Sequence, residues 1–176
     1  MPLHLPEAFA FCPQCGCSAG DVGQNPFSCA GCGFRFYFGP TVAVGAIVTD
    51  DAGRVLLLRR ARDPGRGKLG IPGGFVDVGE GVEEAMAREV FEETQLTVQS
   101  MRYIASFPNS YAYRGLLYPV TDVFFECHVD GYDQMVPQAC EIEEFFFRHP
   151  SQQDLAEMAF ESNRRAIEAF LEQAGR

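Results

Sequence analysis

The chain has 176 residues, 47% hydrophobic and 22% charged, with a formal net charge of −10. That size supports one domain with a real core and a small appendage, and the acidic balance disfavours a nucleic-acid partner; an anionic ligand would need a metal ion or local arginines to offset repulsion. No stretch approaches the roughly eighteen apolar residues of a membrane span, and the N-terminal MPLHLPEAFAFCPQC lacks the basic start and apolar run of a signal peptide, so the cytoplasm is the expected location.

Residues 1–38 stand apart from the rest. They hold five of the seven cysteines, Gly/Pro/Asn punctuation and little hydrophobic periodicity. Cys12-Pro-Gln-Cys15 and Cys29-Ala-Gly-Cys32 are two CxxC units, each followed by a glycine, Gly16 and Gly33, that suits a tight turn around a metal. In a cytoplasmic chain, paired thiolates at this spacing point to a tetrahedral Zn²⁺ site rather than to disulfides. Four ligands leave no open position, so the zinc is expected to be structural. Its binding free energy is expected to hold together a segment with almost no core of its own. Cys17, Cys127 and Cys140 are left over, and Cys17 lies close enough in sequence to compete as a ligand. The pattern resembles a zinc ribbon. Arg35 is the only basic residue before position 40, so phosphate-backbone binding by this module is not expected.

After Phe38-Gly39-Pro40 the pattern changes, and residues 39–176 are expected to form the main domain. TVAVGAIVTD (41–50) reads as a buried strand, Asp51-Ala52-Gly53 as a turn, and RVLLLRR (54–60) as the returning strand. ARDPGRGKLGIPGG (61–74) is expected to be loop. A helix is predicted over 82–94. Strands are predicted near 97–107 and 117–129, with a loop around SFPNSYAYRG. EEFFFR (143–148) is a further strand. Residues 151–175 are predicted as one helix with Ser151 as N-cap.

On a helical wheel of 82–95, Met86, Ala87, Val90, Phe91 and Thr94 share one side. Glu89, Glu92 and Glu93 fall within about 100° on an adjacent side. An acidic face is ordinarily a solvated one. Here, however, like charges repel at i,i+3 and i,i+4, and carboxylates near a helix C-terminus also oppose the macrodipole. A hard divalent cation removes both penalties, and Mg²⁺ keeps positions free for substrate phosphates. Arg88 can reach Glu92 and Glu84 at i±4 and hold a carboxylate in place. Ile71-Pro72-Gly73-Gly74 allows close backbone approach, and Glu80 can reach back toward the same metal.

Gly74, five residues, Glu80, seven residues, then Arg88-Glu89-Val90-Phe91-Glu92-Glu93 resembles the Nudix box. One position departs: the box's penultimate glycine is Gln95, followed by the aliphatic Leu96. A Gln in the left-handed region costs about 1 kcal/mol, so either the turn is strained or the helix ends differently. The resemblance covers roughly residues 40–176. It implies an α/β fold, the Nudix α/β/α sandwich with a mixed sheet, preceded here by the small zinc ribbon. It also implies Mg²⁺- or Mn²⁺-dependent hydrolysis of a nucleoside diphosphate derivative. Carried over residue by residue, Glu89, Glu92 and Glu93 are metal ligands, and Glu80 and the Gly74 carbonyl are weaker candidates. The general base is Glu89 or a glutamate of a later loop, with Glu141, Glu143 and Glu144 as candidates.

A zinc ribbon ahead of a Nudix domain resembles the NADH pyrophosphatases, which carry an SQPWPFPxS stretch about ten residues past the box. Here Ser106-Phe107-Pro108-Asn109-Ser110 is abbreviated and lacks the Trp. The expected substrate is therefore a small nucleotide, ADP-ribose-like or a dinucleotide, with NADH among the candidates. Tyr111 and Tyr113 can share a strand face, either as a nucleobase platform or as half-buried packing. Arg59, Arg60 and Arg114 are candidate phosphate contacts. His4, His128 and His149 are read as structural or surface residues. A nucleotide sensor that does not cleave, a nucleoside triphosphate pyrophosphohydrolase and an interaction module are the alternatives, and a homodimer stays open.

Overall fold

The computed structural model describes residues 2–132, 135, 136, 138, 140–173 and 175. In chain order the strands are β1 (Leu3–His4), β2 (Phe27–Ser28), β3 (Arg35–Phe36), β4 (Thr41–Val48), β5 (Val55–Arg60), β6 (Leu69–Gly70), β7 (Thr97–Tyr113), β8 (Leu116–Asp130) and β9 (Ile142–Arg148). The helices are α1 (Val82–Thr94), α2 (Gln152–Ala156) and α3 (Glu161–Gln173). The chain divides into two compact units, 1–41 with 110–120, and 42–109 with 121–176.

In the larger unit, β8 pairs with β4 and β7, and β5 lies between β6 and β9. Both β5 pairings are antiparallel, running from Val55↔Arg148 to Arg60↔Ile142 on one side and through Leu58↔Gly70 and Arg59↔Leu69 on the other. Strand side chains alternate between faces, and here both faces are buried. Val44, Ala46, Val48, Leu56, Phe125, Cys127 and Val129 pack with Ala85, Met86 and Val90 of α1. Ile47, Val55, Leu57 and Phe124 turn the other way, against Leu155 and against Ala166, Ile167 and Phe170 of α3. That alternation makes an α/β/α sandwich and explains the near-continuous apolar runs of β4 and β5. At roughly 25 cal/mol per Å² of apolar surface removed from water, these two clusters are the main stabilising force of the unit.

Four elements differ from the sequence-based expectation. β5 does not return alongside β4: it meets that segment at the Thr49–Val55 bridge and then pairs with β6 and β9, while β4 pairs with β8. The predicted loop 61–74 contains β6, because Leu69 and Gly70 pair with Arg59 and Leu58. The SFPNSYAYRG segment is not a loop: β7 runs through Tyr113, and the hairpin turns on Arg114-Gly115, with φ of 47° and 81°. Two consecutive positive φ values match the right-handed strand twist, so two residues suffice to reverse the chain. The predicted helix over 151–175 is broken, and Ala174 within it lies outside the described residues. Ser151 caps α2 as expected, accepting from the Asp154 amide. The backbone of 157–159 then leaves the helix to pair with β6: Leu69 N–H donates to Glu157 O, and Ala159 N–H to Leu69 O.

The smaller unit has a core of its own, contrary to the expectation of almost none. Cys12, Phe27, Cys29 and Phe38 are buried, with Leu5, Phe9, Ala19 and Phe34 packed on them. Phe9 stacks on Phe36 at 5.7 Å and meets Phe38 edge-on at 4.7 Å. Scattered Phe residues in tight turns show no periodicity, so the sequence pattern concealed this cluster. β2 pairs antiparallel with β3, and β1 lies parallel to the start of β8 at Leu3↔Leu116 and His4↔Leu117.

Candidate active site

α1 begins where the Glu84 carboxylate accepts the Gly81 N–H at 2.8 Å, so Glu84 serves the helix start and does not join Arg88. The apolar side of α1 buries Met86 and Val90, while Phe91 lies at its edge and is exposed. The helix ends on Gln95 at φ 63°, ψ 12°, in the left-handed region. Its N–H donates to Phe91 O at 2.8 Å, and its side-chain Nε2 donates to the same oxygen at 3.0 Å. The turn is thus the one a glycine would make, and the amide side chain offsets part of its strain.

The turn before the helix is shaped around two of the glutamates. A Cβ on Gly74 would lie 2.5 Å from the Glu89 carboxyl, and one on Gly73, whose φ is 150°, would lie 2.1 Å from Val44 O. The Gly73 N–H donates to Glu93 Oε2 at 2.9 Å. The Gly74 carbonyl accepts the Val44 N–H at 2.8 Å, which leaves it one lone pair for any other partner.

Arg88 is the hub of the cluster. Its Nε and Nη2 donate to the two Glu80 oxygens, each at 2.9 Å, its Nη1 donates to Glu89 at 2.7 Å and to Glu92 at 3.3 Å, and its Nη2 also reaches Phe75 O. Glu80 is accordingly held below the usual carboxylate range by Arg88 and the Asp77 N–H. Burial raises Glu89, with Arg88 opposing. Glu93 is only 7% exposed and forms no ion pair among the described residues. Desolvation pushes it up to about 8, reinforced by the charges of Glu89 and Glu141 and opposed by the Gly73 N–H and Arg60. Such a group binds either a proton or a cation. The three helix carboxylates do not sit preassembled at metal-ligand spacing. Among the described residues only the four cysteines form a group of three or more ligands within 4.8 Å of one another. Mutual repulsion and the pull of Arg88 account for the spread.

Of the later-loop candidates, Glu141 is the one whose charge reaches Glu89 and Glu93. It precedes β9, accepts the Ala61 N–H through its carbonyl and pairs with Arg62 at 2.5 Å. Glu143 and Glu144 are exposed, Glu144 lying 3.6 Å from Arg59. Arg59 also donates to Gly67 O at 2.8 Å. Tyr111, Tyr113 and Arg114 belong to the smaller unit, where Arg114 lies 5.3 Å from the centre of the half-exposed Tyr113 ring. Sequence reasoning missed Asp122, a buried carboxylate that accepts from Asn109 at 2.8 Å and from Ser162 at 2.5 Å and is raised by desolvation. The signal was an acidic residue interrupting PVTDVFF.

In the smaller unit the two CxxC turns face each other. Gly16 and Gly33 donate back to Cys12 O and Cys29 O, each at 2.9 Å. The Cys12 and Cys32 sulfurs are 3.7 Å apart, and those of Cys15 and Cys29 are 3.6 Å apart. A tetrahedron of thiolates about 2.3 Å from Zn²⁺ has edges of about 3.8 Å, so the donor set fits that ion. The Cys32 N–H favours the Cys29 thiolate and holds it at about 7. Cys32 rises to about 12, because the other sulfurs and burial outweigh the Phe34 N–H that favours its thiolate. Four thiolates therefore need a cation among them.

The sequence matches the NUDIX domain family over residues 39–170. It is 44% identical over 78 residues to the ADP-ribose pyrophosphatase of Methanocaldococcus jannaschii, covering 43% of this chain and 46% of that protein. It is 35% identical over 115 residues to the NAD-capped RNA hydrolase NudC of Haemophilus influenzae, covering 61% of this chain and 43% of that protein. The matches thus span less than half the length of these curated relatives. A NUDIX hydrolase from Nitrosomonas europaea superposes with a TM-score of 0.64 at 25% identity, over 94% of this chain and 93% of that one. The MutT NUDIX hydrolase from Burkholderia pseudomallei gives 0.61 at 26%, over 74% and 98%.

Proposed function

The chain belongs to the Nudix family, and from that premise we propose that it hydrolyses the pyrophosphate bond of a nucleoside diphosphate derivative of the ADP-ribose or dinucleotide type, with Mg²⁺ or Mn²⁺ held by Glu89, Glu92 and Glu93. The observation that carries the reading is Glu93, a buried carboxylate with one amide partner and no ion pair among the described residues. When bound, divalent cations would neutralise phosphate oxygens and acidify the attacking water. The missing side chain of Gly74 keeps room for the Glu89 carboxylate, and the Gly73 N–H holds that of Glu93. Arg88 holds Glu80, Glu89 and Glu92 on one guanidinium and limits their rotamers. Glu141 is the candidate to take the proton of the attacking water, with Arg62 fixing its position. The ADP-containing substrate class is supported by the two relatives' names, since ADP-ribose and NAD share an adenosine diphosphate. The cysteine site is proposed to hold structural Zn²⁺.

The test is a hydrolysis screen of ADP-ribose, NADH, a diadenosine polyphosphate and the common triphosphates at one Mg²⁺ concentration. Cleavage of an ADP-linked compound that is lost in Glu92→Gln and Glu93→Gln supports the proposal. A triphosphate favoured tenfold in kcat/KM, about 1.4 kcal/mol of transition-state preference, overturns the substrate class. Binding without cleavage at saturating Mg²⁺ would make the protein a sensor.

A further inference from the structure

Five of the fourteen basic residues lie within ten positions: Arg59, Arg60, Arg62, Arg66 and Lys68, with Asp63 the only acid among them. The rest of the chain is strongly acidic, so solubility does not call for this cluster, and its like charges repel one another. The segment is the hairpin between β5 and β6, and its backbone is well fixed. Arg60 N–H donates to Lys68 O at 3.0 Å, Gly67 N–H to Arg60 O at 2.8 Å and Lys68 N–H to Gly65 O at 3.0 Å. Three of its cations are engaged within the fold. Arg59 holds Gly67 O, Arg60 donates to Pro64 O and lies over the Phe160 ring at 5.1 Å, and Arg62 pairs with Glu141. Arg66 and Lys68 are exposed and make no side-chain hydrogen bond or ion pair among the described residues.

The hairpin is tied to the carboxylate site at both ends. Ala61 and Arg62 hold Glu141, whose charge reaches Glu89 and Glu93. From Lys68 the chain runs through β6 into Gly73, which binds Glu93. Five residues span at most about 17 Å, the order of a dinucleotide's length. Cations on Glu89, Glu92 and Glu93 would take the charge of the scissile pyrophosphate, and Arg88 is committed to Glu80, Glu89 and Glu92. Two unengaged cations on a preorganised turn therefore fit a different anion on the same ligand.

We propose that Arg66 and Lys68 form a binding site for a second phosphate of the substrate, a phosphate ester on the ribose outside the scissile pyrophosphate. The inference rests on the proposed hydrolase reading and names its substrate class more narrowly. The ester has two sources, a 2′-phosphate on a dinucleotide or a 3′-phosphodiester to a further nucleotide. The experiment compares NADH with NADPH, and NADH with the same dinucleotide extended by one 3′-nucleotide, in the wild-type chain and in Arg66→Ala/Lys68→Ala. The expected result is a lower KM for one extended substrate, about tenfold, that shrinks with added salt and disappears in the double variant while NADH turnover is unchanged. The arm that shows it identifies the source. No preference in either arm, a preference that survives the double substitution, or an equal loss on NADH would overturn the site. Calorimetry with adenosine 2′,5′-bisphosphate against AMP, and with a 3′-extended dinucleotide against NADH, reads the same contact without turnover. An inactive enzyme would therefore count against the hydrolase reading, and equal affinities within each pair against this site.

Discussion

Glu93 titrates near 4.5 in an unfolded chain and is pushed up to about 8 in the fold. The fold therefore has its full advantage from this group below about 4.5 and loses it as pH rises through 8. Without Mg²⁺, stability from urea midpoints is expected to fall between pH 6 and 8 with a slope of up to about 1.4 kcal/mol per unit. Glu93→Gln is expected to flatten the slope, and saturating Mg²⁺ to flatten it in the wild-type chain; an unaltered slope in the variant would place the ionisation elsewhere. The two glycines separate packing from chemistry. Gly74→Ala meets the far end of the Glu89 side chain rather than backbone, so it is expected to keep its midpoint within about 1 kcal/mol while the displaced carboxylate lowers kcat tenfold or more. Gly73→Ala drives a Cβ into the Val44 carbonyl and is expected to lose more than about 3 kcal/mol. Equal stability of the two variants would contradict the assignment. Both glycines were legible as places of close approach, because Gly-Gly between a strand and a helix has few other uses. What approaches them was not legible, since the Glu93–Gly73 bond joins residues twenty apart.

At the scale of the element, α1 matches its sequence-based bounds at 82 and 94 because its period, its start and its stop agree. Gln95 bears the one strain, and Gln95→Gly is expected to raise stability by about 0.5 kcal/mol: relief of the left-handed penalty exceeds the loss of the bond to Phe91 O. A rise in Tm of about 1–2 °C by calorimetry would agree, and a drop would mean the side-chain bond outweighs the backbone cost. β7 and α2–α3 were misjudged for opposite reasons. Asn and Arg-Gly near a hairpin tip look like loop, yet pairing with β8 satisfies that backbone. A continuous 3.6-residue period looks like one helix, yet Leu69 captures the carbonyl of Glu157 and the N–H of Ala159.

At the scale of the molecule, three buried clusters are present among the described residues, an aromatic one around the cysteines and one on each face of β4 and β5. Metal analysis is expected to find one zinc per chain. Its removal by a strong chelator, or Cys32→Ser, is expected to abolish hydrogen-exchange protection at Gly16 and Gly33 while α1 amides stay protected. Protection at Gly16 that survives complete zinc loss would show that the Phe cluster suffices alone. No helix among the described residues is long and apolar enough to cross a membrane.

The sequence alone determined the features written in local spacing: the paired CxxC turns, the box helix with its carboxylate face, and the two apolar strands β4 and β5, though not their partners. Each depends on residues a few positions apart, so a period or a spacing carries it. The tertiary structure decided whatever depends on backbone groups meeting across the chain. It buried Glu93 against Gly73, brought the charge of Glu141 to bear on Glu89 and Glu93, broke the final helix, and left the side chains of Arg66 and Lys68 without a hydrogen bond or ion pair among the described residues. Burial and hydrogen bonding between distant segments set those outcomes, and neither has a one-dimensional signature.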